Sequence, residues 1–167
     1  MKVYLIGFMG SGKTYWGRQL SKRLTLPFFD LDEQITEAEG KSINEVFEQH
    51  GEEYFRLREK DILHLLTESH DSFIMACGGG TPCYFNNIEY LNRSGMTIWI
   101  NTPIPVLAER LLKEKEHRPL LKDLSDEQVK NFISKKFADR RLYYEQASLT
   151  VDENMSLEHF IENIFHA

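Results

Sequence analysis

The chain has 167 residues, 41% hydrophobic and 28% charged, which suits one α/β domain with a sizeable core. A formal net charge of −6 argues against a broad basic face for nucleic acid or acidic membrane, so an anionic ligand must be held by a few placed cations. No apolar run approaches the ~20 residues of a membrane span, and two cysteines, Cys77 and Cys83, are too few for a disulfide framework or a four-ligand zinc site.

Short apolar runs alternate with helical patterns along the chain, which predicts a parallel sheet covered on both faces. The first predicted strand, Val3 to Phe8, begins at once, so no secretory leader is expected. At its end runs Gly7-Phe8-Met9-Gly10-Ser11-Gly12-Lys13-Thr14, the pattern G-x-x-x-x-G-K-[ST] between a strand and a helix. Glycines let this backbone turn tightly and aim its N–H groups at phosphate oxygens, and the next helix adds the positive end of its dipole. Lys13 can reach the β- and γ-phosphates, and the Thr14 hydroxyl can hold Mg²⁺. A chance match in a chain of this size has a probability of roughly 1% or less. The pattern predicts an ATP- or GTP-binding protein.

The helix leaving this loop carries Trp16, Leu20 and Leu24 at helical spacing, and Pro27 closes the next turn. The second predicted strand, Phe28 to Asp30, ends in Asp30-Leu31-Asp32. Two carboxylates at i and i+2 on an extended tip share a side of the chain, at the sheet edge where open α/β folds bind ligands. One can serve Mg²⁺ and the other can accept a proton from an attacking hydroxyl; the plainer alternative is that either Asp caps a helix.

Ser42 with Glu45 predicts a capped helix start, Gly51 interrupts the region, and a further helix is predicted from about Glu53 to Thr67, with Phe55 and Arg56 near its start. The third strand, Ser72 to Cys77, runs into Gly78-Gly79-Gly80, which permits close approach of a ligand to backbone donors or, more simply, makes a flexible turn before Pro82. Gly95 precedes the fourth strand, Thr97 to Asn101, and Pro103 and Pro105 open a helix through Leu112. The segment Lys113 to Asp123 is polar and aperiodic, a solvated loop or a lid carrying Arg118. Ser125 with Gln128 caps a long helix to about Gln146, which bears Arg140. A fifth strand, Ser148 to Val151, precedes an amphipathic helix with Leu157, Phe160, Ile161, Ile164 and Phe165 as core residues.

The D-x-x-G and N-K-x-D segments of a GTPase switch are missing, and the third and fourth strands end in Cys77-Gly78 and Asn101 rather than in the carboxylate of a motor ATPase. That leaves a small-molecule kinase. Any single helical arginine is most often a surface charge, but an acidic acceptor needs guanidinium groups that grip carboxylate bidentately, and a lid arginine can stabilise a phosphoryl group in transfer.

Taken together, Gly7-x-Met9-Gly10-x-Gly12-Lys13-Thr14, Asp30-x-Asp32, Phe55-Arg56-x-x-Glu59, Gly78-Gly79-Gly80, Arg118-Pro119-Leu120-Leu121 and Arg140 four residues before Tyr144 closely resemble the shikimate kinase family, in order and in spacing over nearly the whole chain. The resemblance implies a three-layer α/β/α phosphate-loop kinase fold over residues 1–167, with a five-stranded parallel sheet of order 2-3-1-4-5. A mobile lid would span about 113–123 and a shikimate-binding region about 32–58. It implies ATP-dependent phosphorylation of the 3-hydroxyl of shikimate, a step towards chorismate and the aromatic amino acids, by a cytoplasmic monomer that uses Mg²⁺ and binds neither nucleic acid nor membrane. Gly10, Ser11, Gly12, Lys13, Thr14, Tyr15 and Arg118 would bind nucleotide. Thr14 and Asp30 would hold the metal, and Lys13, Asp32 and Arg118 would be catalytic, with Asp32 as base. Phe55, Arg56, Gly78, Gly79, Gly80 and Arg140 would join Asp32 in binding shikimate, with Glu59 orienting Arg56, and Arg110 would lie near the adenine. Two features depart from the family pattern: Thr81-Pro82 follow the glycines, and Arg140-Arg141-Leu142 lacks the usual proline, which leaves Arg140 and Arg141 as rival carboxylate ligands. A gluconate-type or other small-molecule kinase on the same scaffold is the competing reading; it needs no arginine pair beside a three-glycine loop.

Overall fold

The computed structural model describes residues 1–167. Its strands are β1 (Lys2–Ile6), β2 (Phe28–Asp30), β3 (Phe73–Ala76), β4 (Met96–Asn101) and β5 (Leu149–Asp152). All pairings are parallel and the order is β2-β3-β1-β4-β5. The helices are α1 (Lys13–Leu24), α2 (Leu31–Glu39), α3 (Ile43–Ser69), α4 (Asn87–Ser94), α5 (Ile104–Lys113), α6 (Asp126–Tyr144) and α7 (Leu157–His166).

The period-2 alternation of strand side chains divides the core between the two faces of the sheet. Val3, Leu5, Ile74, Ile98 and Ile100 pack on one face against Trp16 and Leu20 of α1 and Phe160 and Ile164 of α7. Tyr4, Ile6, Phe73, Met75 and Trp99 pack on the other against apolar residues of α2 to α6. Burial of the central strands β1, β3 and β4 on both faces explains why those segments read as continuous apolar runs. The order places β1, and the phosphate loop that follows it, between β3 and β4. The chain runs outward in opposite directions from there, and such a switch point opens a crevice at the C-terminal edge.

Two helices go beyond the predicted elements: α2, offered only as the alternative in which an Asp caps a helix, and α4, for which no pattern was seen. The α2 helix begins directly after β2, so Asp32 lies in its first turn rather than on an extended tip. The α4 helix was hidden by Asn-Asn and Asn-Arg polarity, and only Ile88 and Leu91 of its short apolar stripe are buried. The predicted break at Gly51 is a kink inside α3, where φ 82° and ψ 174° form a combination only glycine adopts without strain. The Ser125–Gln128 capping box is complete, whereas at Ser42 the hydroxyl accepts from the Glu45 N–H and donates to its carboxylate, leaving half a box.

The stretch after α5 is built of turns: a 3-10 segment at Lys115–His117, then bonds from Leu121 and Lys122 N–H to the Arg118 carbonyl. Its polar sequence conceals one anchor, Leu121, which is 1% exposed and joins the core that includes Val129 and Ile133 of α6.

Candidate active site

Three backbone loops meet at the C-terminal edge of the sheet: the phosphate loop after β1, the start of α2 after β2 and the three glycines after β3. A cavity of about 440 Å³ lies over the first, lined by Gly10 to Trp16, Arg110, Glu114, Arg118 and Glu153. Lys13 Nζ donates to the carbonyls of Gly7 (2.6 Å) and Phe8 (2.9 Å), so its ammonium is docked on the loop it was expected to extend beyond. Burial and the nearby Arg140 pull its pKa down to about 8 against the opposing charges of Asp32 and Asp30. Ser11, within the loop, is buried and its hydroxyl makes no hydrogen bond. Tyr15, 61% exposed, borders the cavity edge-on to Trp16.

Asp30 caps a helix, as the plainer reading has it, and also meets Thr14. One oxygen caps α2 by accepting from the Glu33 N–H at 3.2 Å, and the other accepts from Thr14 Oγ at 3.0 Å. A hydroxyl and a carboxylate so paired beside the phosphate loop suit a hard divalent cation that takes its remaining ligands from phosphate and water. No cluster of three or more His, Cys, Asp or Glu could hold a metal from protein groups alone. Asp32 turns the other way, towards the glycines and Glu59. Burial, then the Glu59 and Asp30 charges, push its pKa up to about 6, with Lys13 and Arg56 opposing.

The glycine loop is hemmed in by cations. A methyl added to Gly80 would sit 2.5 Å from Arg56 Nη2 and 2.8 Å from Cζ, so the missing side chain there is what gives the guanidinium room. One added to Gly79 would sit 3.0 Å from Arg140 Nη1 and 3.5 Å from the Met9 amide N, which brings the glycine loop against the phosphate loop. Arg56 is 8% exposed, its Nη1 donating to Glu59 Oε1 at 3.0 Å and its guanidinium lying 4.3 Å over the Tyr84 ring. Glu59 is fully buried and burial raises its pKa. Arg140 lies 5.7 Å from the Phe8 ring, whereas Arg141 points to solvent and binds Glu145 at 2.6 Å. Geometry therefore separates the two rival arginines.

The family model for shikimate kinase matches residues 9–167. The chain belongs to the shikimate kinase family. The shikimate kinase of Azobacteroides pseudotrichonymphae is 40% identical over 164 residues, 98% of this chain and 96% of that one. That of Parabacteroides distasonis is 40% identical over 99% of this chain and 96% of its own. Among solved structures, the shikimate kinase of Bacteroides thetaiotaomicron superposes with a TM-score of 0.88 at 32% identity, covering 99% of this chain and 95% of that one. The Acinetobacter baumannii enzyme in complex with shikimate gives 0.84 at 31% identity, covering 99% and 90%.

The remaining positions expected from this family have the following surroundings. Phe55 is 3% exposed, with its ring centroid 4.6 Å from that of Phe47 and the Arg56 guanidinium 5.1 Å over it. Arg118 borders the nucleotide cavity, where Nε (2.9 Å) and Nη2 (2.7 Å) both donate to Glu114. Arg110 bridges the Gly10 carbonyl and Glu153, which ties α5 and the β5–α7 turn to the phosphate loop. Sequence reasoning missed Glu153, which stands in an unremarkable polar turn. It also passed over Tyr144, whose hydroxyl donates to the Gly79 carbonyl at 2.6 Å, although the position stood within the last motif.

Proposed function

We propose that the protein transfers the γ-phosphoryl group of ATP to the 3-hydroxyl of shikimate, giving shikimate 3-phosphate and ADP. The observation that carries this reading is the convergence of Arg56 and Arg140 on the Gly78–Gly80 loop, next to Asp32 and against the phosphate loop. A compact acid fits that arrangement. Its carboxylate meets two guanidinium groups, each able to bind bidentately, while a ring hydroxyl lies towards Asp32 and the phosphate donor. Asp32 accepts the hydroxyl proton as the oxygen attacks; a carboxylate with raised proton affinity suits that task.

Lys13, the amides of Gly10 to Tyr15 and Arg118 hold the phosphates, and Thr14 and Asp30 hold Mg²⁺, which when bound offsets the phosphate charge. Most of the catalysis is positioning and charge stabilisation. The segment from about 113 to 123 closes over nucleotide by turning about its Leu121 anchor, and residues about 32 to 58 close over the acceptor. The protein works as a monomer in the cytoplasm: every proposed group lies within one chain, and ATP is its phosphate donor. No helix is long and apolar enough to cross a membrane.

A coupled ADP-release assay across small hydroxy acids tests the reading. Shikimate should stimulate turnover well above the rate of ATP hydrolysis alone, and gluconate should not. Turnover of gluconate without stimulation by shikimate favours the gluconate-type alternative.

A further inference from the structure

Directly after the glycines, Thr81 occupies a fully buried position. Its side-chain oxygen donates to Glu59 Oε2 at 2.8 Å. The same carboxylate spends its other oxygen on Arg56, so Glu59 is held from two sides by one hydroxyl and one guanidinium. We propose that Thr81 is a positioning residue for acceptor binding, acting through Glu59 on Arg56. The proposal rests on the shikimate kinase reading of the site.

The local sequence explains why Thr81 aims inward. Its N–H bonds to the Gly78 carbonyl at 3.1 Å, and Cys83 N–H bonds to the Gly80 carbonyl at 3.0 Å, which winds Thr81–Cys83 into a 3-10 turn. Pro82 fixes the middle of that turn. Asn87 of α4, fully buried, donates to the Thr81 carbonyl at 2.9 Å. The backbone is thus pinned on both sides of the residue, and the hydroxyl has little freedom to leave Glu59. A methyl built on Gly78 would meet Asp32 Oδ1 at 3.1 Å, Thr81 Oγ at 3.1 Å and Glu59 Oε2 at 3.3 Å, so all three groups crowd one point at the rim of the acceptor site.

Without the hydroxyl, a buried carboxylate oxygen loses its donor, and such an atom is costly to leave unpaired. Burial already favours the neutral form of Glu59, and the Thr81 bond opposes it. A neutral or turned Glu59 releases Nη1 of Arg56, whose Nε is buried without a hydrogen-bond partner. The loss should therefore fall on acceptor binding and leave the nucleotide side untouched.

Thr81→Val removes the donor and keeps the shape. Steady-state kinetics with shikimate and ATP should show the shikimate KM raised roughly ten-fold or more, and the ATP KM changed by no more than about two-fold. Thr81→Ser restores the hydroxyl and should return the shikimate KM to within about three-fold of the parent. Thr81→Ala is the second donor-free variant and should follow Val. In a wild type that turns shikimate over, an unchanged shikimate KM in Thr81→Val overturns the role of Thr81 and leaves the enzyme reading intact. Equal losses for both substrates, equal impairment of the Ser and Val variants, or loss of the fold in both donor-free variants also overturns it. A wild type inert towards shikimate overturns the functional reading itself.

Discussion

Asp32 gains its place from the first turn of α2, which begins one residue after β2 ends. The acidic pair therefore splits its work by direction. Asp30 caps the helix and meets Thr14, while Asp32 faces the glycines. Asp32→Asn keeps the shape and removes the proton acceptor; turnover should fall by roughly 10² to 10⁴ while ATP affinity, followed by calorimetry, stays near the parent value. Surviving turnover excludes Asp32 as base. The two neighbouring arginines make a sharper contrast, because they differ in surroundings and not in chemistry. Arg140→Ala should raise the shikimate KM by roughly 10- to 150-fold, the scale of a lost charge-assisted contact. Arg141→Ala loses one exposed i,i+4 pair with Glu145 and should change the KM by no more than about two-fold. The reverse ranking contradicts the placement. No rule of spacing could decide between them in the sequence. Adjacent residues on a helix point about 100° apart, and only the packing of α6 says which of them faces the glycines.

Elements were legible wherever period and punctuation agreed. The central strands β1, β3 and β4 stood out because burial on both faces makes them apolar, the edge strands β2 and β5 as short apolar runs beside turn residues, and α1, α5, α6 and α7 carried caps, prolines or stripes. The α2 helix was read as no more than a cap because its first turn doubles as the acidic motif, and α4 is too short and polar to show a period. Leu121 was similarly masked, since one core leucine in a charged run has no periodicity to reveal it. The kink at Gly51 divides α3 into a short arm and a long arm that carries Arg56 and Glu59 and meets α2 through Tyr54 and Arg58, both bonded to Glu39. Gly51→Ala forces a side chain into φ 82°, ψ 174° at a cost of about 1–3 kcal/mol. For a chain of this size that lowers the Tm by roughly 2 to 12 °C in a calorimetric scan. An unchanged Tm means that the kink relaxes into continuous helix without penalty.

At the scale of the molecule, one topological fact assembles the site. With β1 between β3 and β4, the phosphate loop emerges beside the glycine loop of β3, and β2 sets the acidic pair on the far side of those glycines. The cations that face them come from α3 and α6, which cover the same face of the sheet and share its larger core. In the proposed reading, donor and acceptor sites are two ends of one crevice, where a handful of placed arginines and one lysine hold two anionic substrates on a chain of net charge −6. The sequence displayed these groups as separate motifs. Their convergence, and the Thr81 hydroxyl that joins the expected Glu59–Arg56 pair, depend on contacts more than twenty residues apart and appear only in the fold. The structure of the protein with shikimate bound tests this account most directly. The ring carboxylate should lie between Arg56 and Arg140 over the glycines, with the 3-hydroxyl within hydrogen-bond distance of Asp32. A carboxylate bound away from both arginines, or a 3-hydroxyl turned from Asp32, contradicts it.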